Sequence, residues 1–382
     1  MELLRNPRID FLGKKIIFVS LSALLVLGSV ALLATRGLHY GIDFRGGADV
    51  VLRFKQRPQV DEIRSVLARQ GLDAAQIQAF GGTEEGPASQ DVLIRVPPQE
   101  GTEQGDVSGR ILEALRSAMG GESGKLDLNI AGPTEIERAL QGAFPGQESM
   151  ARAAAEALSA YRDEHGGLFR DLEEARSVAG LSPEAAAWLR DNATAGPFAI
   201  RSVDYVGPSV GRELKQRATY AVIGSLLAML VYIWFRFERL SFGVAAVVTL
   251  GHDAMLALGA ISLTTKEFDL TVLAAVLTIV GFSINDTIVI FDRVRENLRH
   301  GRGGDMNKLF NDSINQTLSR TLLTTALVLM VVLTLWLFGG NRLNPFSFTL
   351  LVGVIFGSYS TIYVASPIVI WWERTVGKKA RA

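Results

Sequence analysis

Six long apolar runs constrain this chain more than any other feature. A helix needs about 20 mostly apolar residues to cross a bilayer core. Such runs lie at Ile16–Ala34, Tyr220–Phe237, Phe242–Leu263, Leu270–Phe291, Thr321–Phe338 and Phe346–Trp372. At helical rise the first covers about 28 Å. It exceeds the roughly 7–15-residue apolar core of a secretory leader, and no small-x-small cleavage site follows it, so it reads as an uncleaved anchor. Trp234, Trp336, Trp371 and Trp372 fall near span ends, where amphipathic rings favour the interface. The averages of 48% hydrophobic and 20% charged residues hide this segregation, because the charges gather between the first two runs. A uniform globular enzyme, a disordered chain and a nucleic-acid binder built on bulk basicity are excluded, the last because 39 basic residues balance 39 acidic ones. The absence of cysteine excludes disulfides and thiol chemistry, and four scattered histidines point to no metal site.

Orientation follows from Lys and Arg in the short flanks. One side receives Arg5, Arg8, Lys14, Lys15, Arg236, Arg239, Arg293, Arg295, Arg299, Arg302, Lys308, Arg320, Arg374, Lys378, Lys379 and Arg381. The short loops of the other side carry Lys266 and Arg342, and the edges of the large segment add Arg36, Arg212, Lys215 and Arg217. The bias predicts a cytoplasmic N-terminus (1–15), span one (16–34), an extracytoplasmic domain (37–217), spans two to six (218–372) with a cytoplasmic loop at 292–320, and a cytoplasmic C-terminus (373–382).

Periodicity within 37–217 predicts an α+β domain. Ala48–Phe54, Ala75–Phe80, Asp91–Val96 and Leu126–Ile130 read as strands, with turn residues from Gly81 to Gln90. Val60–Gln70 and Val107–Met119 read as amphipathic helices. The β-α-β-β-α-β order is that of a split ferredoxin-like unit. A helical insert is expected at about 134–195, with one helix over 134–160, another over Leu168–Val178, and a third opened by Ser182-Pro183 and running through Leu189. Ala199–Val206 returns to strand character. The insert is acidic and extracytoplasmic, so it reads as a protein-contact surface or spacer and not as a nucleic-acid binder.

Two glycine-rich motifs bracket this domain. The first is Gly41-Ile42-Asp43-Phe44-Arg45-Gly46-Gly47, and the second is Gly207-Pro208-Ser209-Val210-Gly211. The first lacks the strand, helix and lysine of a phosphate loop. Both stand where a folded domain joins a membrane helix, and tight turns there favour glycine. Asp43 and Arg45 are expected to form a local salt bridge, with a proton-entry role as the lesser alternative. Within the spans, the fourth carries Gly281-Phe282-Ser283-Ile284-Asn285-Asp286-Thr287, and the fifth opens on Asn315-Gln316-Thr317-Leu318-Ser319-Arg320.

These four motifs, in this order on six spans, resemble the SecF subunit family of the bacterial Sec translocon accessory complex. The helical insert departs from the family pattern. The resemblance implies half of a resistance-nodulation-division (RND)-like fold in the bacterial inner membrane. It implies SecD as a partner supplying a similar six-helix half, with the SecYEG translocon, an unfolded preprotein and membrane lipid as further contacts. It also implies use of the proton gradient, with no bound cofactor, to promote late steps of preprotein translocation. Na⁺ remains an alternative ion.

Ionisable groups inside a span cost several kcal/mol and invite a functional explanation. Asp286 lies about 24 Å along the helix from Leu270, in the inner third of the bilayer. Burial there favours the neutral acid and a nearby cation favours the carboxylate, so such a group can take and release a proton. Arg320, at comparable depth on span five, is the expected counter-charge, and the resemblance ties both residues to proton transport. His252-Asp253, roughly 15–17 Å beyond Phe242, reads equally as a proton relay or as a hydrogen-bonded pair locking spans three and four. Asn285 and Thr287 are expected to hydrogen-bond between helices, with a relay role as the lesser alternative. Asp292, Arg293 and Arg295 read as edge charges. No nucleotide fingerprint or nucleophile elbow is present, so an ion-coupled motor subunit is favoured over an enzyme. An RND-type lipid or small-molecule transporter half, or a structural scaffold, stands as the alternative.

Overall fold

A computed structural model of the chain describes residues 7–81, 90–98, 104–119, 124–237, 239–264, 266–300 and 305–379. Most of the turn expected between Gly81 and Gln90 lies outside the described residues, as do Arg5, Arg302 and Arg381. The chain divides into two units: residues 1–44 with 213–382, and residues 45–212.

Among the described residues six helices are long and apolar enough to cross a membrane, all in the first unit apart from the opening turn of the second: Leu12–Thr35, Pro208–Phe237, Leu240–Leu263, Leu270–Arg299, Met306–Phe338 and Arg342–Thr375. Each contains one of the six apolar runs and extends past it into polar sequence, because helical hydrogen bonding continues beyond the apolar stretch. Pro208 opens the second span, at a position where a missing N–H costs nothing. Asp269 caps the fourth, its carboxylate accepting from Val272 N at 2.8 Å. The spans are not equivalent. About half of the apolar window is buried in the third, fourth and sixth spans, against 6–11% in the other three. Polar side chains on the inner faces of those three spans are therefore sequestered. Phe237, Phe242 and Phe291 anchor one end of this interior, with ring centroids 4.7–6.1 Å apart. The sixth span is helical over Gly340–Ser360, passes through a π-helical turn at Thr361–Ala365, and resumes as Ser366–Lys379.

The second unit is built on a four-stranded antiparallel sheet. Its strands are β1 (Gly47–Phe54), β2 (Gln76–Gly81), β3 (Gln90–Val96) and β6 (Phe198–Val206), in the order β2-β3-β1-β6. Alternation in β1 sends Ala48, Val50, Leu52 and Phe54 inward, where they meet Ile63 and Leu67 of helix Val60–Arg69 and Ile111 and Leu115 of helix Gln104–Ala118. Burying each of the larger aliphatic side chains is worth about 1.5–3 kcal/mol.

The expected fourth strand at Leu126–Ile130 is a correction. Only Leu126–Asp127 (β4) is extended, and it pairs in parallel with β5 (Ala193–Thr194) in a separate two-stranded sheet. The place beside β1 is taken by β6, which arrives after the insert. The longer, alternating Phe198–Val206 can pair along the whole of β1, whereas Asp127 and Asn129 turn the chain away. Asp127 Oδ1 accepts from Asn129 N at 3.0 Å and from Gly196 N at 2.9 Å.

The helix expected over 134–160 is instead two, Pro133–Ala143 and Glu148–Glu164. The break falls at Pro145-Gly146, where Gly146 takes φ +84°. The next helix is shorter than expected, Leu172–Arg176, and the last, Pro183–Asn192, has Ser182 Oγ accepting from Ala185 N as its cap. These helices close on a core of their own around Leu128, Ile136, Leu140, Leu158, Phe169 and Leu189. Buried Asn129 clasps this core, accepting from Phe169 N and donating to Phe169 O and Gly196 O. Lys55 at the end of β1 donates to Ala195 O at 2.8 Å.

Candidate functional site

The buried polar groups of the membrane unit concentrate on its three inner spans. Asp253 on the third is 1% exposed and saturated with hydrogen bonds. Its Oδ1 faces His252 Nδ1 at 2.9 Å. Its Oδ2 accepts from Ser283 Oγ on the fourth span at 2.6 Å and from Ser360 Oγ on the sixth at 2.8 Å. One carboxylate thus ties three helices together. Gly357, one turn before Ser360, permits the approach, since a Cβ there would sit 3.3 Å from Ser283 Cβ. With Nδ1–H donating to Asp253, the buried Nε2 of His252 has no hydrogen-bond partner among the described residues.

Asp286 lies three residues beyond Ser283, on the same helical face. It is 2% exposed. Its Oδ2 has no hydrogen-bond partner among the described residues, which leaves the two acids in opposite conditions. The fifth span brings Thr325 toward this carboxyl group. Thr325 in turn shares a 3.0 Å hydrogen bond with Ser358 of the sixth. Arg320 does not reach ion-pair distance of Asp286; its side chain is exposed and lines a cavity at the start of span five. The two residues therefore do not form a closed pair.

Thr287 joins the site and Asn285 does not. Thr287 donates to Ser283 O at 3.1 Å, and its Oγ1 lies 3.1 Å from Thr361 Oγ1, the first residue of the π turn. Asn285 projects from the exposed face of the fourth span. At the helix end, Asp292 pairs with Arg236 at 3.0 Å and Arg293 with Glu296 at 2.5 Å, while Arg295 donates to Arg236 O.

Sequence reasoning missed Ser283, Ser360, Thr361 and Thr325. A hydroxyl in an apolar span usually bonds its own helix, as Thr349 does with Pro345 O. The available signal was the spacing of Ser283 from Asp286 and the adjacency of Ser360 and Thr361 within an apolar run. Among the described residues no group of three His, Asp or Glu side chains is placed to hold a metal ion.

The junction glycines have distinct reasons. Gly46 and Gly47 take φ +77° and +119°, conformations that L side chains rarely adopt. A Cβ on Gly47 would also lie 2.4 Å from Val96 O, and one on Gly46 would lie 3.0 Å from Pro208 Cα. Gly41 N donates to Phe268 O, and a Cβ there would meet Asp269 Cβ at 3.2 Å. Gly207 has open space around it; its carbonyl accepts from Gly211 N in the first turn opened by Pro208. The expected Asp43–Arg45 salt bridge does not form. Both lie in the single turn Ile42–Arg45, and Asp43 is drawn to the fourth span, where its Oδ2 accepts from Leu270 N at 2.9 Å. The unpaired amides at a helix start attract a carboxylate.

A six-span helical unit with interior carboxyls, attached to an α+β domain, defines a multi-pass membrane protein. Residues 188–375 match the family described as protein export membrane protein SecD/SecF, C-terminal, and residues 31–56 match the SecD/SecF GG motif. The chain is 40% identical to the protein translocase subunit SecF of Koribacter versatilis, over 100% of this chain and 96% of the relative. It is 32% identical to that of Escherichia coli O157:H7, over 92% and 83%. The crystal structure of SecDF, a translocon-associated membrane protein from Thermus thermophilus, superposes with TM-score 0.65 at 27% identity. That match covers 97% of this chain but only 39% of the longer SecDF chain. The chain belongs to the SecF family of protein translocase subunits.

Proposed function

We propose that this subunit couples the proton-motive force to late steps of preprotein translocation, working beside SecD and the SecYEG translocon in the bacterial inner membrane. The observation that carries this reading is Asp286: a buried carboxyl group with an oxygen left open, one helical turn beyond the Ser283 that serves the fully bonded Asp253. Asp253 then serves as the fixed node, and Asp286 as the group that takes and releases the proton. The open Nε2 of His252 is a second proton acceptor on the same inner face. Arg320 on span five is the counter-charge in this reading, so protonation of Asp286 weakens the attraction between spans four and five.

In this reading both termini and the loop at 292–320 are cytoplasmic, in keeping with the Lys and Arg bias. The sheet domain and its helical insert are extracytoplasmic, where they meet unfolded preprotein. The driving force is adequate in scale. One charge crossing 100 mV yields about 2.3 kcal/mol, and shifting a two-state equilibrium from 1:99 to 99:1 takes about 5.5 kcal/mol. Two or three protons suffice. The test is proton influx into proteoliposomes carrying the complex with SecD, followed with an enclosed pH-sensitive dye. Asp286→Asn is expected to abolish the preprotein-dependent influx; influx at the wild-type rate would overturn the reading.

A further inference from the structure

The segment from Pro7 to Lys15 is held against the start of span five by a column of asparagines spaced four residues apart. Asn315 accepts from Ile9 N and donates to Ile9 O. Asn311 accepts from Phe11 N and Leu12 N and donates to Asp10. Asn307 accepts from Lys15 Nζ at 2.8 Å. This clasp is one wall of a cavity of about 1,220 Å³, above the roughly 300–1,000 Å³ typical of ligand sites.

The cavity is cationic. Arg8, Lys15, Arg293, Lys308 and Arg320 line it, against Asp10, Asp305 and Asp312. Several of these charges are already engaged. Arg293 is paired with Glu296, Asp10 accepts from Asn311 and Gly13 N, and Asp305 caps span five and lies 3.9 Å from Arg374. Arg8, Lys308 and Arg320 form no ion pair among the described residues and stand exposed in the wall; Asp312 is the facing carboxylate that remains. The cavity also straddles the edge of the apolar zone. Leu323 lines it on span five, and on span one Ile16 and Ile17, just past Lys15, are 75% and 66% exposed.

We propose that this cavity binds the phosphate of an anionic phospholipid, with Arg8 and Lys308 on the headgroup and the acyl chains running along Ile16, Ile17 and Leu323. Basic pockets between membrane helices at the water boundary are suited to such headgroups. The adjoining apolar side chains are what a free anion would leave unused. The site stands independently of the proton-coupling reading, since its two defining cations have no part in that chemistry.

The test is native mass spectrometry of the full chain with its SecD partner, with phosphatidylglycerol or phosphatidylcholine added at matched concentrations. The wild type is expected to retain phosphatidylglycerol in preference to phosphatidylcholine. Arg8→Gln with Lys308→Gln is expected to weaken that retention about thirtyfold, the effect of two interfacial cations. Arg8→Lys with Lys308→Arg is expected to keep it, which separates charge from folding. Arg299→Gln, at the end of span four, is expected to leave it unchanged. Equal retention in the double Gln variant, or equal loss with Arg299→Gln, would overturn the site. Displacement by inorganic phosphate at the lipid's own concentration would make it a free-anion site and overturn the lipid assignment.

Discussion

Ser360 donates a 2.8 Å hydrogen bond to Asp253 from the last residue before the π turn of span six. The widened turn begins immediately afterwards, and Thr361 within it meets Thr287. A π turn inside an α-helix often marks a functional position; here it sets two consecutive hydroxyls against the third and fourth spans.

That contact makes Ser360→Ala costly. Depriving a buried acceptor of a donor costs about 1–3 kcal/mol, and no other donor on span six reaches Asp253 in the hydrogen bonds described. Thermal unfolding of the purified chain in detergent should show a loss in that range. Thr349→Ala, which removes only a bond within its own helix, should cost well under 1 kcal/mol.

The junction glycines should respond unequally. Gly47→Ala meets both a positive φ and the Val96 carbonyl, and strain of this kind costs about 1–3 kcal/mol before the clash is counted. Gly207→Ala has open space and should be nearly neutral. Hydrogen exchange across β1 and β3 reads the difference directly.

Asn311 makes three contacts with the N-terminal segment, so Asn311→Ala should release it. Amide exchange at Phe11 and Leu12 should accelerate by at least tenfold, corresponding to about 1.4 kcal/mol or more of lost local stability. Asn311→Asp keeps the acceptor but sets a second carboxylate against Asp10, and should release the segment as well.

Lys55 supplies a pH signature in the sheet domain. Its pKa is lowered, first by burial, with Asp127, Asp171 and Glu174 opposing the shift. The folded state then binds fewer protons than the unfolded chain just below the ordinary lysine value. Stability should therefore rise with pH as the lowered pKa is passed and level off near 10.5. In Lys55→Met that component of the slope should vanish, as measured by hydrogen exchange in β1 and β6 across the alkaline range.

Much of this was legible in the sequence, for physical reasons. An apolar run of bilayer length has few soluble explanations, so the six spans stood out. Asp286, His252 and Asp253 stood out because charge inside such a run is expensive. The pairing of β6 with β1 was not legible: strand propensity marks both Leu126–Ile130 and Phe198–Val206 as extended, but which of them completes a sheet depends on a contact across the whole insert. The split at Pro145-Gly146 was readable and was overridden by the helix-forming composition around it. Ser283, Ser360 and Thr361 look like ordinary span hydroxyls until the packing shows which of them face a carboxylate. Arg320 illustrates the opposite limit, since sequence depth placed it level with Asp286 but could not show that its side chain turns to the cavity.

In the proposed coupling, protonation of Asp286 drives export. The most direct test is preprotein export into membrane vesicles containing SecD and either the wild type or Asp286→Asn, with and without an uncoupler. If Asp286 carries the proton, the gradient-dependent fraction of export disappears in Asp286→Asn while the complex still assembles with SecD. Gradient-dependent export at the wild-type level in that variant would contradict it and leave Asp286 a packing residue.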